Sequence, residues 1–119
     1  MPVVRLRQVF VPAADVEDAA RVFADVLGLD LQFRDGDRWV QFRAGDVSLA
    51  VASTEEAGGA EHGRAVPVFE VTDLDGHVEQ LRASGATVTT RDMGEHGRTA
   101  LATVESGLAI SLLELPPRD

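Results

Sequence analysis

Gln8-Val9-Phe10-Val11, then Asp15-Val16-Glu17-Asp18-Ala19-Ala20-Arg21-Val22-Phe23-Ala24-Asp25-Val26-Leu27-Gly28-Leu29, reads as an apolar strand, a turn, and a helix that stops at a glycine. About 58 residues later a cruder copy appears: Val66-Pro67-Val68-Phe69-Glu70-Val71, then Asp73-Leu74-Asp75-Gly76-His77-Val78-Glu79-Gln80-Leu81-Arg82-Ala83-Ser84-Gly85. Asp15 aligns with Asp73, Val16 with Leu74, Ala20 with Val78 and Phe23 with Leu81, while Gly28 meets Gly85 after a one-residue slip. An internal repeat sets the architecture before any single element is assigned. It predicts two βαβββ modules in one α+β domain: module one at residues 1–53, a linker at 54–64, module two at 65–119.

Working outward, Asp15 is placed to cap a helix whose stripe is Val16, Ala19, Ala20, Phe23 and Leu27, with Gly28 as its left-handed stop. Strands come next at 29–33, 39–43 and 47–52, with Asp35-Gly36 as the hairpin signal between the first two. The second module gives strands at 66–71, 87–91, 98–104 and 109–115, around a helix at 73–84. Met93-Gly94-Glu95-His96-Gly97 reads as a loop and Glu105-Ser106-Gly107 as a turn.

Period-two alternation sorts the strand residues into two sheet faces. Val9, Val11, Val40, Phe42, Leu49, Val51, Phe69, Val71, Ile110 and Leu112 are uniformly bulky and apolar, a surface for the helices. Gln8, Phe10, Trp39, Gln41, Ser48, Ala50, Val66, Val68, Ala109, Ser111 and Leu113 mix aromatic, amide, hydroxyl and small side chains. A face meeting only water would carry more charge. This mixture reads as a cavity lining in preference to a dimer interface or an ordinary exposed sheet face.

The 119 residues are 45% hydrophobic with a mean hydropathy of −0.01, the composition of a globular chain long enough to bury a core. No apolar run is long enough to cross a bilayer, and the opening Met1-Pro2-Val3-Val4-Arg5 lacks a secretory pattern, so the expected location is cytoplasmic. Without cysteine there is no disulfide framework, thiol nucleophile or thiolate metal site. A net charge of −9 argues against nucleic acid. It leaves room for a cationic ligand, or serves solubility alone through helix-face acids such as Glu17, Asp18, Asp75 and Glu79.

At residues 16–29, at Phe69-Glu70-Val71-Thr72-Asp73-Leu74, and at Val104-Glu105-Ser106-Gly107-Leu108-Ala109-Ile110-Ser111-Leu112, the chain resembles the vicinal oxygen chelate superfamily. That superfamily includes glyoxalase I, extradiol dioxygenases and bleomycin-resistance proteins. The resemblance covers nearly the whole chain and implies that the two modules curl into an open mixed sheet around a cavity, helices outside. It also implies a homodimer. Enzymes of the superfamily hold a divalent metal with four strand residues, and the resemblance puts those positions at Gln8, Ala50, Val66 and Ser111. Only Gln8 is a useful ligand there, so no metal and no cofactor are expected. His62, His77 and His96 fall in loops or on a helix and read as solvated.

The residues left to carry function are those of a binding site. Phe10 and Trp39 are expected to sandwich a planar ring, with Ser48 and Ala50 leaving it space. Gln8, Gln41 and Ser111 would orient it, and Phe33, Val66, Met93 and Leu113 would wall it. Trp39 also fits a purely structural role on a half-buried strand. The expected partner is a small aromatic molecule, neutral or cationic, and the resemblance implies sequestration of an antibiotic. A lyase, isomerase or cyclase is the alternative, for which Glu70 and the Glu95-His96-Gly97-Arg98 loop supply the candidate acid–base groups.

Overall fold

The computed structural model describes residues 3–58, 64–104 and 108–117. His62, part of the linker (59–63) and the Glu105-Ser106-Gly107 turn lie outside them. The fold is α+β, and two compact units divide the chain: Gln8–Val66, and the residues up to 7 together with those from 67 onward.

The first module contributes β1 (Arg5–Pro12), α1 (Val16–Arg21), β2 (Asp30–Asp35), β3 (Trp39–Ala44) and β4 (Val47–Ala52). Its strands lie in the order β2-β3-β4-β1, antiparallel except where β1 meets β4. The second contributes β5 (Val66–Glu70), α2 (Leu74–Ala83), β6 (Thr87–Asp92), β7 (Arg98–Thr103) and β8 (Ala109–Glu114). These run β5-β8-β7-β6, parallel only at β5 and β8. The repeat is therefore a repeat of connectivity. In each module a helix succeeds the first strand, and that strand then pairs in parallel with the last.

The repeated aspartates do the same job. Asp15 accepts a hydrogen bond from the Asp18 N–H and Asp73 from the Gly76 N–H, each at 3.0 Å, satisfying an amide that the first turn leaves unpaired. Each helix packs on the uniformly apolar face of its own sheet. Val16 and Ala20 meet Val40, Phe42 and Val51, with Phe23 against Phe42 at a ring separation of 6.1 Å. Leu74 and Val78 meet Val71, Ala100 and Leu112. Burying one such side chain contributes about 1.5–3 kcal/mol.

The first helix departs from expectation. Its α-helical part ends at Arg21, and Val22–Val26 form a π turn, marked by the Leu27 N–H reaching back five residues to the Val22 carbonyl at 3.0 Å. The wider turn rotates the end of the helix off the apolar stripe, so Leu27 is 61% exposed instead of packed. Leu29, just past Gly28, packs against the core in its stead. Gly28 adopts φ 73°, the expected left-handed stop.

Candidate functional site

Register aligns the mixed face of the first sheet. Phe33, Gln41, Ala50 and Phe10 form one row across β2, β3, β4 and β1. Gln8 lies opposite Ser48, and Trp39 opposite Ala52. Seven of the residues expected from sequence thus share one surface. Ala50 and Phe10 form its buried floor, while Trp39, Gln41 and Ser48 are half-buried and Phe33 is 54% exposed.

The aromatic sandwich is not formed. The Phe10 and Trp39 ring centroids lie 5.8 Å apart with planes inclined at 50°, in direct tilted contact. No third ring fits between them. Phe10, buried, packs against Trp39, and the aromatic surface left open is what the half-buried Trp39 and the exposed Phe33 present.

A polar chain crosses the same face. The Trp39 Nε1–H donates to Gln41 Oε1 at 2.9 Å, Gln41 Nε2 donates to Gln32 Oε1 at 3.3 Å, and the Ser48 hydroxyl donates to the same oxygen at 2.7 Å. Gln32 is the member that alternation along β2 does not reveal. By strict period two it faces away from Phe33. The β2–β3 register slips between Leu31 and Phe33, so one extra residue is accommodated on β2 and Gln32 joins Phe33 beside Gln41. No local residue type in 29–33 marks that bulge.

The other expected wall and anchor residues lie on later elements. Val66 opens β5 and is fully buried. Ser111 sits opposite Val68 and Leu113 opposite Glu70, so both are on one face of the second sheet. Ser111 is 7% exposed and Leu113 half-buried. Met93 is half-buried just before the short 3-10 turn Gly94–His96, its N–H donating to the Gly97 carbonyl at 2.8 Å.

The acid–base candidates are held in ion pairs or lie in water. Glu70 Oε1 accepts from Arg5 Nε and Arg7 Nη1, each at 3.2 Å. It borders a depression of about 370 Å³ with Val71, Thr72, Glu114, Leu115 and Pro117. Glu114 accepts from the Leu74 N–H at 3.0 Å and from Arg98 at 3.2 Å, closing the start of α2. Arg98 is therefore turned to Glu114 and Asp75 instead of to its loop neighbours, and these two carboxylates raise its pKa further. Glu95 and His96 are both exposed. His77, expected to be solvated, is half-buried with Nδ1 2.6 Å from the Asp73 carbonyl oxygen, so it serves the helix start.

The metal that the superfamily's enzymes carry does not fit the four positions the resemblance assigns. Ala50 and Val66 are wholly buried and offer no lone pair. Ser111 offers a hydroxyl and Gln8 an amide, a donor set too poor for a divalent transition metal. Among the described residues no group of three or more His, Cys, Asp or Glu is gathered elsewhere for a metal.

The family model for the Glyoxalase/Bleomycin resistance protein/Dioxygenase superfamily matches residues 5–112. Among solved structures, methylmalonyl-CoA epimerase from Mycobacterium tuberculosis is 21% identical with a TM-score of 0.68, the match covering 97% of this chain and 90% of that one. The Streptomyces coelicolor methylmalonyl-CoA epimerase in complex with 2-nitronate-propionyl-CoA is 15% identical with a TM-score of 0.71, over 98% and 100% of the two chains. A superfamily member from Vibrio splendidus 12B01 is 14% identical with a TM-score of 0.68, over 92% and 99%. At these identities the likeness is one of fold. No curated protein matches. With the family model spanning nearly the whole chain over two βαβββ modules, this protein belongs to the glyoxalase/bleomycin resistance protein/dioxygenase superfamily.

Proposed function

We propose that this chain is a metal-free binding protein that sequesters a small aromatic natural product or antibiotic in the cytoplasm, acting as a homodimer. The observation that carries the reading is the chemistry of the family's metal positions. Ala50 and Val66 fill two of them with buried hydrocarbon, and the face around Ala50 is built from aromatic and amide groups. Without a metal to polarise substrate oxygens, such a face is suited to hold a molecule better than to transform it. An aromatic ring laid on Phe33 and Trp39 would gain apolar burial and about 0.5–1.5 kcal/mol per favourable ring pair. The amides beside them give it a preferred orientation.

Trp39 is the only tryptophan and there is no tyrosine, so intrinsic fluorescence reports on this face alone. Titration with bleomycin and with mitomycin C should give saturable quenching by one of them at one per chain, no response to zinc, nickel, manganese or ferrous ions, and unchanged drug on recovery. An altered compound on recovery would make the protein an enzyme of the lyase, isomerase or cyclase kind. Protection of cells that outruns the molar amount of protein would do the same.

A further inference from the structure

The chain Trp39–Gln41–Gln32–Ser48 has only one consistent direction. An indole N–H donates and never accepts, so Gln41 must turn its oxygen to Trp39. Its NH2 group is thereby committed to the other side, where only an oxygen can receive it, and Gln32 must present Oε1. The Ser48 hydroxyl donates to that same oxygen. Gln32 Oε1 then holds two donors, and its Nε2 has no acceptor among the described residues. The bulge sets Gln32, an exposed residue, on the same face as Phe33, itself 54% exposed.

We propose that Gln32 is the specificity residue of this face: its Nε2 donates a hydrogen bond to a carbonyl oxygen on the aromatic ligand, so the face selects quinone-like or ketone-bearing rings over plain aromatic hydrocarbons. This rests on the proposed function, in which the face binds an aromatic molecule. Trp39, besides offering its ring to the ligand, is the positioning residue of the amide chain, because its N–H sets the polarity of every amide after it. A ligand donor group in the same place would meet only N–H and would be rejected.

The test is equilibrium dialysis of the full chain against 1,4-naphthoquinone and naphthalene, a pair alike in the ring and different in the carbonyls. The protein has neither cysteine nor lysine with which a quinone would react. Naphthoquinone should bind about tenfold more tightly, the worth of one well-made hydrogen bond. Gln32→Glu keeps an oxygen for Gln41 and Ser48 but replaces the outward donor with an acceptor. It should abolish the preference, so that the ratio of the two affinities falls to about one. Trp39→Phe, which frees both amides to turn over, should reduce the preference even if Gln32→Glu folds poorly. Equal binding of both compounds to the native protein overturns the role of Gln32 and leaves the aromatic reading standing. Binding of neither overturns the aromatic reading and this proposal with it.

Discussion

Gly28 and Gly97 share a left-handed backbone but not the same surroundings. At Gly28, φ 73°, an added Cβ meets nothing within 4 Å, so Gly28→Ala should cost only the conformational penalty, about 1 kcal/mol. At Gly97, φ 97°, the Cβ would strike the Glu114 carbonyl oxygen, part of the backbone of β8. Urea denaturation should place Gly97→Ala well below Gly28→Ala, losing about 3 kcal/mol or more once backbone strain and collision combine. Equal midpoints would refute the close approach of Gly97 to β8. Phe42→Ala, emptying a site between sheet and α1, should cost about 3–5 kcal/mol by the same measurement. Side-chain types are enough to nominate Trp39, Gln41, Ser48 and Ala50, because period two puts them on one face. They are not enough to nominate Gln32, whose position depends on a slip in pairing with β3.

At the scale of elements, the two helix starts are equivalent although the helices themselves are only weakly alike. Asp15→Ala and Asp73→Ala each remove one side-chain acceptor from a first-turn amide, and each should cost about 1 kcal/mol. Circular dichroism during thermal unfolding would check this. A much smaller loss for Asp73→Ala would mean that Glu114, which accepts from the Leu74 N–H, carries that helix start by itself. The ends of the helices are less legible than their starts. An N-cap is a local hydrogen bond between neighbours in sequence. The π turn after Arg21 departs from the 3.6-residue period on which the apolar stripe is read, and so that period assigns Leu27 to a core it does not enter. Likewise adjacency groups Arg98 with Glu95 and His96, whereas its guanidinium reaches Glu114 across the β7–β8 pair and Asp75 on α2.

For the molecule as a whole, Val26, Leu27 and Leu31 leave apolar surface exposed on the first module, apart from the face that carries Phe33 and Trp39. Sedimentation velocity at micromolar concentration should therefore return a dimer, and a monomer would count against pairing. No helix among the described residues is long and apolar enough to cross a membrane. What the sequence by itself determined was the order of elements, their repeat and the apolar helix-bearing faces. All of these are set by residue type and spacing along one chain. Only the tertiary structure decided that Phe10 supports Trp39 instead of facing it, that Glu70 is held by Arg5 and Arg7, and that Gln32 completes the amide chain. Those depend on ring angles, on side chains 63 or more positions apart meeting, and on a one-residue slip between strands. Periodicity is blind to all three, because each is settled by which neighbour a side chain meets in space.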